Sequence, residues 1–165
     1  MEEGVFIADQ LKRMLSMLGR ELSGLPDPAL NHILEFQPSN TLFQLGTHVA
    51  GSTRFWAITC QGGRDFDRNR DAEFISTGEG AALLADLDDV VASVHAFVSA
   101  MTADDLDQPV TVSSASISFW PSSDPLPRRH ALLHALEHTG LHVGHAQLTR
   151  QLLGFSSTGM ESTHE

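Results

Sequence analysis

Cysteine is nearly absent from this chain: Cys60 stands alone among 165 residues. That excludes an internal disulfide and any cysteine-rich zinc cluster. Lysine is as scarce, with Lys12 the only one among ten basic residues, against 21 acidic ones. The formal charge of −11 repels phosphate backbones, so nucleic acid is not an expected partner. No apolar run reaches the roughly 18 residues of a membrane span. The opening Met1-Glu2-Glu3 lacks the positive start of a signal peptide. The expectation is a cytoplasmic protein, without a membrane or nucleic-acid partner.

What is plentiful is histidine, nine in all with five in one segment. His130, His134, His138 and His142 follow one another at four-residue steps, with His145 beside them. Four residues turn an α-helix by only about 40° beyond a full turn, so successive rungs share a face and two imidazoles reach one ion. Histidine has weak helix propensity, which makes such a ladder unexpected of plain packing. The pattern points to a divalent metal. His32, His95 and His164 stand outside it and read as ordinary hydrogen-bonded residues.

The length and the apolar share (41%) suit one domain over residues 1–165, with a core at about 5–154 and a Ser/Thr/Gly-rich tail at 155–165. From Val5 to Ser23, the residues Ile7, Leu11, Met14, Leu15, Leu18 and Leu22 keep helical spacing, and Gly24 and Pro26-Asp27-Pro28 end the run. Leu30 to Leu34 reads as a single turn. Asn40 or Thr41 caps a second helix running to about Cys60 and stopped by Gly62-Gly63, with Leu42, Leu45, Val49, Phe55 and Trp56 turned inward and His48 among them. A charged loop, Arg64 to Phe74, follows. Thr77 caps a third helix whose stripe is Leu84, Leu87, Val91, Val94, Val98 and Met101, and a turn comes at Thr102. Residues 109–120 read as a short β-hairpin or an extended connection. The fourth helix starts near Pro127 and runs to Leu153 before Gly154. Four such helices predict an all-α four-helix bundle.

In a bundle, a metal site is built from inward side chains on facing helices. The fourth helix offers His138 and His142, and the second offers His48. Three neutral imidazoles with an open position suit Zn²⁺, Ni²⁺, Fe²⁺ or Mn²⁺ without choosing among them. A rival pairing lies in His134-Ala135-Leu136-Glu137-His138, an H-x-x-E-H string like that of inverted-motif zinc peptidases, in which Glu137 is the general base.

Three stretches bear on the pairing. Leu45-Gly46-Thr47-His48-Val49-Ala50-Gly51-Ser52-Thr53-Arg54-Phe55-Trp56 resembles the second helix of the DinB/YfiT-like metal-binding bundles, where an aromatic follows a histidine about two turns later. Arg70-Asp71-Ala72-Glu73-Phe74 is similar to that family's R-x-x-E-F stretch, and His138-Thr139-Gly140-Leu141-His142-Val143-Gly144-His145 to its H-x-x-x-H-x-G-Q helix. The resemblance runs from about Val5 to Gly154. It implies an up-down-down-up bundle with a metal held by His48, His138 and His142. His145 stands where many members carry glutamine, and His134 falls one turn before the site, at its edge or in the pocket mouth.

The same resemblance implies a thiol-dependent transferase or isomerase that uses a bacterial low-molecular-weight thiol such as mycothiol or bacillithiol with a small-molecule substrate. A metal-dependent hydrolase or amidase is the alternative within enzymes. A non-catalytic metal-binding stress or sensor protein is the alternative outside them, since Glu137, the best general base, lies about 100° around the helix from His138. Trp56 and Phe55 are candidate pocket walls. Arg64, Arg68 and Arg70 are candidates to meet an anionic substrate, and Gly144 leaves room for a substrate or for a neighbouring helix. Cys60 reads as an inert small residue. A homodimer is expected, with the stretch Val110 to Trp120 as a possible participant.

Overall fold

In the computed structural model, which describes residues 2–35, 39–110 and 125–158, the first amphipathic stretch forms α1 (Glu3–Leu22). Ile7, Leu11, Leu15, Leu18 and Leu22 are buried along one side of it, each contributing about 1.5–3 kcal/mol by leaving water. Gly24 ends the run in the left-handed region (φ 70°), where glycine carries no Cβ penalty. The single turn then comes earlier than its apolar residues suggest, as α2 (Asp27–Leu30). Pro28 in the first turn explains the shift, since its fixed φ and missing N–H suit that place.

The second long helix, α3 (Leu42–Arg54), opens on a capping box: Gln44 N donates to Thr41 Oγ1 at 3.1 Å, and Thr41 N donates to Gln44 Oε1 at 3.0 Å. Its continuation is not α-helical. Phe55–Thr59 is a π-helical turn, closed by Cys60 N donating to the Phe55 carbonyl at 2.8 Å. The residue pattern gives no sign of this widening. Within the charged loop lies one helical turn, α4 (Arg70–Glu73), capped by Asn69 Oδ1 accepting from Ala72 N.

Thr77 does not cap the third long helix, α5 (Gly80–Ser99), whose flanking residue Glu79 makes no side-chain cap. Asp27, far back in the chain, does the work: its Oδ1 accepts from Gly80 N at 2.8 Å, while Asn31 Oδ1 accepts from Gly78 N at 3.1 Å. A tertiary contact thus satisfies donors that the local sequence leaves open. The buried stripe is Leu83, Leu87, Val90, Val94 and Val98, with Leu84 and Val91 packed at its edges. The arc is wider than the predicted stripe because α5 faces two helices at once.

A capping box at Thr102 and Asp105 starts α6 (Ala103–Asp107). The predicted hairpin falls, apart from its first two residues, outside the described residues. Pro109 and Pro127 are paired in an antiparallel bridge, and Val110 N donates to the Leu126 carbonyl at 2.9 Å. Then comes α7 (Arg128–Leu152), with Pro127 one place before its first turn. Of the tail, Ser156 to Thr158 are held down. Arg150 Nε donates to the Ser156 carbonyl, and Ser157 and Thr158 donate to the buried carboxylate of Glu21.

The four long helices form one bundle. α1 and α3 each pack against both α5 and α7 and touch one another little. This sets the histidine face of α7 against α3. Among the described residues, no helix is long and apolar enough to cross a membrane.

Candidate metal centre

His48 projects from the middle of α3, 4% exposed, into the seam with α7. His138 and His142, one turn apart on α7, meet it there. One donor nitrogen from each of the three rings lies within 4.8 Å of the other two. Ring centroids are 5.0 Å apart for His48–His138 and for His48–His142, and 4.5 Å for His138–His142, all roughly edge-on.

The hydrogen bonds assign the protons. His48 Nδ1 lies 2.8 Å from Glu73 Oε2. An ionised carboxylate only accepts, so His48 Nδ1 carries the proton and a neutral ring keeps its lone pair on Nε2. His48 Nε2 is 3.1 Å from His138 Nε2, which must then donate. His138 Nδ1 and His142 Nδ1 are buried without a hydrogen-bond partner among the described residues. Buried ring nitrogens left open in this way call for an explanation, and an ion among the three rings is one. Burial pushes His138 down to about 3, and the other rings that would compete with it for a proton, His142, His48 and His134, act in the same direction, as does the Arg68 charge. Burial, with His48 and His145, pushes His142 down to about 4. Both rings therefore stay neutral and free to ligate at ordinary pH. Donor type, spacing and protonation fit a divalent metal.

The carboxylate behind His48 comes from the charged loop. Glu73, at the end of α4, is 6% exposed and takes a two-pronged ion pair from Arg68, with Nε to Oε1 at 2.7 Å and Nη2 to Oε2 at 2.9 Å. Burial alone would raise its pKa; the Arg68 and His48 bonds outweigh this and hold it below the ordinary carboxylate value. Sequence reasoning passed over Glu73, although R-x-x-E-F within the charged loop was the signal. Phe74, next in that stretch, packs its ring 4.6 Å from that of His48.

The family model for the DinB superfamily matches residues 10–146. The chain belongs to the DinB superfamily. A crystal structure of a conserved protein from Enterococcus faecalis is similar to it with a TM-score of 0.72 at 15% identity, covering 93% of this chain and 98% of that one. At that identity the likeness concerns the fold. Among curated proteins none matches significantly.

Other predicted residues of this DinB-superfamily chain lie around the centre rather than in it. The His134 ring is 5.1 Å from Trp56 and 5.9 Å from His138, and burial lowers its pKa against the pull of Glu137. Trp56 is buried beside it in the core, while Phe55 is only partly buried. Glu137 is exposed, so the H-x-x-E-H arrangement is not assembled. His145 is exposed and stacks on His142 at 6.1 Å. Gly144 has open space where a Cβ would stand, so no helix packs against it among the described residues. Arg68 is committed to Glu73, and Arg64 and Arg70 lie over the rings of Phe66 and Phe74. Arg64 and Arg68 also line a cavity of about 420 Å³ whose third arginine, Arg54, is paired with Asp86 and Asp89. Cys60 is fully buried, which pushes its thiol up to about 12 despite Arg68. It is no nucleophile.

Proposed function

We propose that this chain is a divalent-metal-dependent enzyme in which His48, His138 and His142 hold the ion and a low-molecular-weight thiol is the cosubstrate of a transfer or isomerisation. The observation that carries the reading is the convergence of three imidazole donors within 4.8 Å, two of them kept neutral by burial. A divalent ion held there supplies Lewis acidity, which lowers the pKa of a thiol or water that it binds. A free thiol, with a pKa of about 8.5, is mostly protonated at neutral pH, so thiol chemistry gains most from such a centre. The sequence resemblance to bundles that include thiol-dependent transferases and isomerases supports a thiol over water.

The chain's own part is to bind and orient. α3 contributes one donor and α7 two, so the centre ties together two helices far apart in sequence. Phe74 backs His48, and Trp56 with His134 borders the His138 side. Imidazole donors leave Zn²⁺, Ni²⁺, Fe²⁺ and Mn²⁺ as candidates.

Metal analysis of the purified protein beside His48→Ala is the test, followed by turnover of electrophilic substrates with and without thiol. About one divalent ion per chain in the wild type, none in the variant, and turnover that needs both metal and thiol are expected. Turnover with water alone would transfer the assignment to a hydrolase. Binding without turnover would leave a metal-binding protein with no catalysis. A wild type that takes up none of Zn²⁺, Ni²⁺ or Mn²⁺ would sink the proposal.

A further inference from the structure

We infer that Glu73 is a positioning residue: held by Arg68 and admitted by Gly51, it sets the proton and the ring plane of His48 and makes His48 the anchor ligand of the centre. The inference rests on the reading that His48, His138 and His142 hold the ion.

The three imidazoles are not equivalent. Among the described residues, only His48 has its far nitrogen engaged, 2.8 Å from Glu73 Oε2, and those of the other two are buried without a partner. A histidine ligand coordinates through one nitrogen only if the proton is kept on the other, and an acceptor there also stops the ring from rotating. His48 meets both conditions before any ion arrives. His138 and His142 lack such a carboxylate among the described residues.

Glu73 is itself fixed from several sides. Asn69 caps the short α4 that presents it. Arg68 grips both carboxylate oxygens, a geometry that leaves little freedom to rotate. The backbone of α3 makes room: a Cβ at Gly51 would collide with Glu73 Oε1 and press on its carboxyl carbon. Gly51 lies one turn after His48 on the same face, so glycine there lets the carboxylate reach past α3 to the ring. Phe74 then lies against the ring face at 4.6 Å. The charged loop is therefore a clamp on one ligand, through one carboxylate and one aromatic ring.

Such a carboxylate behind a ligating histidine is worth 10–100-fold in metal affinity in general, by order of magnitude. Three variants test this: Glu73→Ala, Glu73→Gln and Gly51→Ala. For each, the dissociation constant for Zn²⁺ and Co²⁺ is measured by competition with a chromophoric chelator, together with the visible absorption of the Co²⁺ form and the thermal midpoint of the metal-free protein. Glu73→Ala is expected to weaken binding by about 10–100-fold and to alter the Co²⁺ bands. Glu73→Gln keeps an acceptor without the charge and is expected to fall between it and the wild type. Gly51→Ala, which displaces the carboxylate without removing it, is expected to follow Glu73→Ala. A purely structural role would lower the midpoint and leave the affinity and the Co²⁺ spectrum of the folded protein unchanged. Wild-type affinity and spectrum in a folded Glu73→Ala, or in a folded Gly51→Ala should the first not fold, overturn the inference. Failure of the three-histidine reading is a separate result, seen when His48→Ala binds metal as the wild type does.

Discussion

Burial decides what each histidine of the α7 ladder can do. His138 and His142 are held at about 3 and about 4, against 6.5 for a free ring. In metal-free protein, the unfolded chain takes up protons below about pH 6.5 that the folded chain refuses. Stability from these two groups is therefore complete above about 6.5 and is lost as pH falls toward 4 for His142 and toward 3 for His138. Thermal unfolding of chelator-treated protein should move to lower temperature across that window. A double variant with His138→Ala and His142→Ala should lose part of the slope, and an equal slope in both proteins would count against the assignment. His134 shares the ladder but lies outside the group of converging donors. His134→Ala should accordingly keep near-stoichiometric metal where His48→Ala loses it, as read by metal analysis; the opposite pattern would revive the H-x-x-E-H pairing. The four-residue spacing exposed the ladder. Which rungs matter was not legible in spacing, because it depends on what lies opposite.

Helix ends divide into those set locally and those set by distant residues. Thr41 and Gln44 are three apart, and their capping box is visible in the sequence and present in the fold. Thr41→Ala should cost about 1 kcal/mol of stability. Urea unfolding should detect this, with metal stoichiometry unchanged because His48 lies more than a turn further on. A loss below about 0.3 kcal/mol would mean that the cap is redundant with burial of Thr41. The start of α5 is of the other kind. Its capping acceptor is Asp27, contributed by α2, and Thr77 reads as a cap only while the helix is considered alone. The π turn at Phe55–Thr59 was equally unreadable. It places Trp56 in the buried layer next to His134, and turns of this type recur at functional sites.

At the scale of the whole molecule, the core and the metal centre are separable. Leucines, valines and isoleucine of all four long helices fill the interior, and the histidine cluster occupies only the seam between α3 and α7. The metal-free protein should remain helical by circular dichroism. Because an ion binds the folded state alone, Zn²⁺ should raise the thermal midpoint of the wild type. The gain should be about 2.7 kcal/mol when free metal is a hundred times its dissociation constant. His48→Ala should show no such rise. An unchanged midpoint in the wild type would mean that the centre does not bridge the two helices. The charged loop belongs at this scale too: its fold turns Arg68, Glu73 and Phe74 from a run of solvated charge into the backing of one imidazole.

The sequence by itself determined the four amphipathic helices, the exclusion of disulfides and the presence of histidines at one-turn steps, since each follows from periodicity or composition along the chain. Membership of the DinB superfamily was also readable there, in short motifs at the right order. Those motifs also named His138 and His142 over His134 and His138, a choice that spacing left open, and the fold brings these rings to His48. Only the tertiary structure decided that Asp27 starts α5 and that Glu73 lies behind His48. The physical reason is the same in each case. Spacing sets how side chains are arranged around one helix, but the rotation of that helix in the bundle, and the loop that closes over it, are set by packing between segments far apart in the chain.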